Sequence, residues 1–401
     1  MTNNKNTYCP APWHGGYFTY NQQSVCCEYS VVNTTSIVEF YKSDLVSNLK
    51  KNIIAGTPPD ECNKCFDLEK IGSKSHRQIY LENFKLNDIE FDYDPNSESK
   101  PQYIEVRLSN LCNFKCRMCF PTWSSLIGKE LEQTPDLAKW YPIHRVADIG
   151  HHEYTVEFLD EIIGMIPNLK WINFTGGEPM IIPEVVMLMD KINEQDAGKN
   201  ISLHFTTNGS VLNPRIISRF ENHKYVQLTI SLDGIGDVAE YVRHGTVWDK
   251  MLKNCDEYGK LNLKLDNMQI NFNMSLSSYA ALAIDRTVEF VCNFNEKYKC
   301  DSTDMNLVEG LLSPLNLKGQ ARQTAIDAME RALVIIDNYC NTSTIDPRKM
   351  KIVGDQINSM QNRMLNSDAD NDEWEKFKQF THDFDAARNE SFEQVFGFRL
   401  D

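Results

Sequence analysis

Residues 109–120 read Ser-Asn-Leu-Cys-Asn-Phe-Lys-Cys-Arg-Met-Cys-Phe, and they decide the fold. The stretch just before and into them, YIEVRLS (103–109), is strand-like, with apolar residues alternating with polar ones. Three thiols, Cys112, Cys116 and Cys119, therefore sit on one short loop directly after a strand. Three thiolates placed this way can hold three irons of a [4Fe–4S] cluster, whereas a structural cluster or zinc site takes four protein ligands. No fourth Cys or His stands close in the sequence, so one iron would be left open to a different ligand.

Outward from this loop, short apolar strands alternate with helical stretches. WINFTGG (171–177), ISLHFTTNG (201–209), VQLTISLDG (226–234), MQINFNMSL (268–276) and DMNLVEG (304–310) follow YIEVRLS, with helices expected over 155–166, 182–195, 212–222, 247–258 and 278–294. Six strand-then-helix units indicate parallel α/β architecture with right-handed crossovers. Six are too few for the eight-stranded barrel, so an open, partial (β/α)6 barrel is expected, with its chemistry at the C-terminal strand ends. Residues 1–98 read as a separate cysteine-bearing domain. Within it, 42–56 has helical spacing of Leu45, Leu49, Ile53 and Ile54, with Gly56 as cap. Residues 92–101, rich in Asp, Ser and Pro, read as a linker. The barrel is expected over 99–320 and a helical, amphipathic extension over 321–401, where Trp374, Phe377 and Phe380 form an apolar stripe.

Composition bounds the function. Hydrophobic residues make up 41% of the 401, which excludes a mostly disordered chain. The net charge of -15 argues against wrapping nucleic acid, which needs clustered Lys and Arg. Short basic groups such as Lys74-Ser-His-Arg77 read as solvated faces. No apolar run reaches the ~20 residues of a membrane span, and the N-terminal residues lack an apolar signal core. A cytoplasmic address is expected, where thiols stay reduced, so metal or redox chemistry outranks disulfides for the twelve cysteines. Eight of them fall in the first 119 residues; Cys255, Cys292, Cys300 and Cys340 are scattered later and read as small core residues.

The Cys112-x3-Cys116-x2-Cys119 spacing at a strand end resembles the radical S-adenosylmethionine (SAM) superfamily. Met118 stands where that family usually has an aromatic. The resemblance implies a [4Fe–4S] cluster whose fourth iron is chelated by SAM, and reductive cleavage of SAM to a 5′-deoxyadenosyl radical that abstracts hydrogen from a substrate. Later segments agree with it. Gly176-Gly177-Glu178-Pro179 is similar to the family's segment for the SAM amino group, and glycines suit a close approach of backbone to ligand. Ser231-Leu-Asp-Gly with Arg243 resembles the pattern of peptide-modifying members, where Ser and Arg meet the SAM ribose and carboxylate. Thr207 and Asn208 stand where polar SAM-facing groups are common, and Asn273 is a further candidate.

A second group, Cys9, Cys26, Cys27, Cys62 and Cys65, resembles a twitch or SPASM-like auxiliary module, placed here ahead of the barrel rather than after it. The resemblance implies a second, fully cysteine-ligated [4Fe–4S] auxiliary cluster. Five cysteines compete for four places, so either Cys26 or Cys27 is a ligand. A structural zinc knuckle is the alternative for this group. The implied activity is hydrogen abstraction from a peptide or protein, with a reduced flavodoxin- or ferredoxin-type electron donor. Two alternatives stay open: a small-molecule dehydrogenase that passes an electron to the auxiliary cluster, and a non-catalytic zinc-ribbon scaffold.

Overall fold

The computed structural model describes residues 7–400 apart from 20–21, 28, 30–31, 71–73, 87–88 and 144–154. The described residues form an α/β fold. Its strands are β1 (Gly15–Thr19), β2 (Gln22–Ser24), β3 (Val32–Asn33), β4 (Tyr103–Arg107), β5 (Lys115–Cys116), β6 (Trp171–Phe174), β7 (Ser202–Thr207), β8 (Tyr225–Ser231), β9 (Arg243–His244), β10 (Met268–Leu276) and β11 (Ser302–Leu307). All six expected strands are present. The chain groups into two compact units, one of residues 1–109, 152–205 and 215–226, the other of 110–151, 206–214 and 227–401. No helix of the described residues is long and apolar enough to cross a membrane.

In the first unit the strand order is β7-β6-β4-β1-β2-β3. β1, β4, β6 and β7 pair in parallel, while β2 and β3 are added antiparallel. β1 was not expected: its sequence, GGYFT, carries two glycines and little apolar pattern, and it becomes a strand by pairing along the whole of β4. Every second residue of these strands is apolar and sealed: Phe18, Ile104, Val106, Ile172, Phe174, Leu203 and Phe205 are all at most 1% exposed. The other face is polar and half-buried at Tyr17, Glu105, Arg107, Asn173 and His204. A parallel sheet buried on both faces would be apolar throughout, so this alternation leaves one face for other work.

The expected helix over 42–56 forms at Asp44–Ala55. Ser43 caps its start, and Gly56 adopts φ 82°, the left-handed cap that favours glycine. The stretch 92–101 has no regular structure, but it is fastened down. Trp13 Nε1 donates to Asp94 O (2.9 Å), Lys50 Nζ to Ser97 O (2.8 Å) and Ser99 Oγ to Pro12 O (2.8 Å).

In the second unit the order is β11-β10-β8, with β10 and β11 parallel, and β5 and β9 form a separate antiparallel ribbon. The helix expected over 278–294 is broken into Ser278–Ala281 and Ile284–Tyr298, because Ala283 leaves helical geometry at φ -144°. That expected over 212–222 shortens to Pro214–Ile217 and a 3-10 turn at Phe220–Asn222. The C-terminal part is helical as expected, at Gly319–Thr342, Arg348–Asn366, Asn371–Arg388 and Phe392–Phe396. The stripe of Trp374, Phe377 and Phe380 is core, with Phe377 fully sealed. Phe377→Ala is expected to cost about 3–5 kcal/mol, read as a lower urea midpoint; an unchanged midpoint would remove the stripe from the core.

Candidate functional site

The three-cysteine loop is held by backbone and short polar side chains of the second unit. Ser124 Oγ donates to Phe114 O (2.7 Å) and Ser125 N to Asn110 O (2.8 Å), where the helix Ser125–Gln133 begins. Cys112 N donates to Ser125 Oγ (3.4 Å), and Cys119 N to Cys116 O (3.1 Å). Asn113 reaches the turn after β7: Asn208 Nδ2 donates to its Oδ1 (2.9 Å), and its own Nδ2 donates to Ser210 Oγ (2.8 Å).

Cys112, Cys116 and Cys119 come together. Burial first, then the neighbouring Cys116 and Cys112 sulfurs, pushes the Cys119 thiol well above its ordinary range. Burial also raises the Cys116 thiol, with Arg243 opposing. For Cys116 and Cys119 the neutral thiol is thus the stable form in the bare loop, and an iron that binds them deprotonates them outright. The β5–β9 ribbon sets Arg243 directly opposite Cys116. Arg243 Nη1 donates to Asp233 Oδ2 (2.7 Å), and Asp233 Oδ1 also accepts from Ser275 N (2.8 Å). Burial works against the guanidinium charge, but the Asp233 carboxylate offsets it, so the group stays cationic. Its Nε is buried with no hydrogen-bond partner. An orphaned cationic donor beside a set of three thiols fits a cluster that carries a carboxylate-bearing ligand.

The other expected residues are accounted for more locally. Thr207 Oγ1 accepts from Gly209 N (3.1 Å), so it shapes the turn, as does Asn208. Ser231 is half-buried at the end of β8, and Asn273 Oδ1 accepts from Asn306 Nδ2 (2.9 Å). Gly176, in the first unit, has φ 77°, and a Cβ there would lie 3.0 Å from Arg107 Cβ, so glycine is required. Gly177 is half-buried. Glu178 is fully buried, and its Oε1 accepts from Met180 N (3.0 Å) as the cap of the following turn.

Sequence reasoning missed a lattice of buried charges around the loop. Arg117 is sealed, and its Nη2 bridges Asp385 and Glu390, each at 2.6 Å, while its guanidinium lies 3.8 Å from the Tyr241 ring centre. Arg388 forks onto Glu130 at 3.0 and 2.7 Å, and Lys115 Nζ donates to the same carboxylate (2.7 Å). His244 Nδ1 stands 2.6 Å from Glu390. Lys115 and Arg117 lie inside the cysteine motif; Glu130 is 15 positions from Lys115, but Arg117 and Asp385 are separated by 268. The only sequence signal was two cations within the cysteine motif.

The second cysteine group is in the first unit. Cys9, Cys26, Cys62 and Cys65 line one pocket of about 40 Å³, together with Tyr29, Phe66 and Tyr80. Cys27 is not among the lining residues; it is exposed, with Sγ 3.8 Å from His76 Nδ1. Burial pushes the Cys9 thiol up to about 12 and the Cys62 thiol up to about 11. Among the described residues, no three Cys, His, Asp or Glu side chains converge on a single metal ion. The later Cys255, Cys292 and Cys300 are buried, as expected of core residues, and Cys340 is half-buried. Of the basic group at 74–77, Lys74 pairs with Glu82 and Arg77 with Glu69.

Residues 106–272 match the model of the Radical SAM superfamily. GTP 3',8-cyclase of Aliarcobacter butzleri is 25% identical over 167 residues, 41% of this chain and 45% of that protein. Molybdenum cofactor biosynthesis protein 1 of Dictyostelium discoideum is 25% identical over 197 residues, 47% of this chain and 27% of that protein. Radical SAM cyclopropyl synthase TigE of Paramaledivibacter caminithermalis is 28% identical over 179 residues, 43% of this chain and 35% of that protein. The chain spans less than half the length of each of these relatives. Streptococcus suis SuiB aligns in structure with a TM-score of 0.41 at 13% identity, over 80% of this chain and 66% of that chain.

The lattice is testable apart from any chemistry. Burial alone would raise the Glu130 carboxyl, but Arg388 and then Lys115 hold it below its ordinary range. Its contribution to stability is therefore full above the unfolded carboxyl's ~4.3 and lost as pH falls through the lower folded value. Glu130→Gln is expected to cost about 3–5 kcal/mol at pH 7, by leaving Arg388 buried and unpaired. It should also flatten the acid limb of a stability-against-pH curve; an unaltered limb would count against the pairing.

Proposed function

We propose that this protein, which carries a radical SAM domain over residues 106–272, is a radical SAM enzyme that abstracts hydrogen from a peptide or protein. The observation that carries the reading is the gathering of Cys112, Cys116 and Cys119 with Arg243 facing Cys116 and its Nε unpartnered. The three thiols would hold the cluster, which when bound supplies the electron that splits the sulfonium C–S bond of SAM into methionine and a 5′-deoxyadenosyl radical. Arg243 would hold the SAM carboxylate, oriented by Asp233. Ser231, Thr207, Asn208 and Asn273 would present polar groups to the remainder of SAM. For Gly176, Gly177 and Glu178 the assignment rests on the motif. The lattice of Arg117, Asp385 and Glu390 keeps the loop in one conformation before any ligand arrives, so that little ordering has to accompany binding.

Cys9, Cys26, Cys62 and Cys65 would hold the auxiliary [4Fe–4S] cluster, with Cys27 outside the set; their shared pocket supports that choice. The electron donor would be a reduced flavodoxin or ferredoxin. The Ser231…Arg243 pattern favours a peptide; the cyclase relatives favour a nucleotide, and the dehydrogenase reading favours a small alcohol.

Anaerobic reconstitution with iron, sulfide and a reductant is expected to give about eight irons per chain, from two cubanes of four. Cys116→Ala should abolish formation of 5′-deoxyadenosine; wild-type rates would refute the assignment of the loop. Cys62→Ala with Cys65→Ala, and separately Cys26→Ala, should lower iron to about four while SAM cleavage persists, whereas Cys27→Ala should leave about eight.

A further inference from the structure

The polar face of the first unit's sheet carries an ordered row. The register aligns Tyr17 with Glu105, Glu105 with Asn173, and Asn173 with His204, one residue on each of β1, β4, β6 and β7. All four are half-buried. With strands ~4.8 Å apart, the row is roughly 14 Å long, the length of about four residues of extended chain.

The hydrogen bonds of this row are nearly closed. Arg107 Nε donates to Thr175 Oγ1 (3.3 Å), and Thr175 Oγ1 donates to Glu105 Oε1 (3.0 Å). Asn173 Nδ2 donates to Glu105 Oε2 (3.3 Å). Arg107 also pairs with Glu105 at 3.6 Å and lies over the Tyr17 ring. Two polar atoms are left over. Asn173 Oδ1 is buried and accepts nothing. Trp171 Nε1, two residues earlier on the same face, is buried and donates to nothing, on a side chain only 8% exposed that stacks on Tyr103. Leaving both unmade costs free energy, which a ligand offering one donor and one acceptor recovers.

We propose that this row binds the main-chain amides of the peptide substrate, with Asn173 Oδ1 accepting an amide N–H and Trp171 Nε1 donating to a carbonyl. An amide brings one donor and one acceptor, which is what the row lacks. The charge pattern decides between substrate classes. A nucleoside triphosphate needs cations to spare, whereas the row's one guanidinium, Arg107, is neutralised by Glu105. The inference rests on the radical SAM reading for its chemistry, but not for its test.

The test uses the full reconstituted chain without SAM. A mixed-sequence pool of N-acetylated, C-amidated tetrapeptides is equilibrated with it in one arm and GTP in another, and retained molecules are measured by mass spectrometry. The wild type is expected to retain a sequence-restricted subset of peptides. Asn173→Leu should lower that retention about tenfold, the ~1.4 kcal/mol of one hydrogen bond. Trp171→Phe, which keeps the stack and removes only the N–H, should lower it by a similar factor. Retention of GTP that depends on Asn173, peptide retention equal in wild type and both variants, or no peptide retention would each overturn the proposal. Formation of 5′-deoxyadenosine is followed separately in the wild type with SAM and reductant; its absence there would sink the radical reading instead.

Discussion

Three thiols on one short loop cannot organise themselves around a metal cluster that needs one corner left open. A closed four-ligand site is shaped by its metal, but a three-ligand site must be shaped by the protein. The loop shows the consequence. Its backbone is capped at Phe114 and Asn110 by Ser124 and Ser125, and its Asn113 side chain is tied to Asn208 and Ser210. Its Arg117 is sealed between Asp385, Glu390 and the face of Tyr241. Each contact removes a freedom that a fourth protein ligand would otherwise have removed.

The lattice also explains why the C-terminal helices belong to this unit. A guanidinium with no solvent exposure is tolerable only when its charge is paired, because desolvating a lone charge costs several kcal/mol. Arg117 and Arg388 are both in that position, and the helix Asn371–Arg388 with the turn after it supplies what each requires: Asp385 and Glu390 to one, and Arg388 itself to Glu130. The residues between, Trp374, Phe377 and Phe380, bury the same helix by its apolar side. Packing therefore sets the helix in place, and charge sets its register against the loop.

In the first unit, the two faces of the parallel strands divide the labour. Ile104, Val106, Ile172, Phe174, Leu203 and Phe205 form a sealed apolar side that needs no specificity beyond volume. The opposite side holds Glu105, Arg107, Asn173 and Thr175 in one hydrogen-bonded set with an acceptor to spare. The four-cysteine pocket shares that unit's core: Cys9, Cys26 and Cys62 pack against the cluster of buried residues that includes Trp13, Tyr103 and Trp171. The cysteine-rich segment is thereby packed into an aromatic core to which it contributes Tyr8, Trp13, Phe40, Tyr80 and Phe84 itself.

Periodicity and motif made much of this legible from the chain itself. Alternating apolar residues marked all six of the expected strands, Gly56 marked a helix end, and Cys112, Cys116, Cys119 and Arg243 stood out by spacing and residue type. These are local signals, carried within a dozen residues by steric and hydrophobic patterning. β1 was invisible, because GGYFT becomes a strand only against β4. The vicinal pair left Cys26 and Cys27 equivalent on paper, and only the folded structure puts Cys26 in the pocket lining while Cys27 stays exposed beside His76, another lining residue. Arg117 and Asp385 are 268 positions apart, and Asn173 gains its meaning from Glu105 across a neighbouring strand. The sequence alone determined which thiols and cations the loop carries; tertiary structure decided which distant charges and amides surround it, since pairing of buried polar groups depends on proximity in space and leaves no periodic trace along the chain.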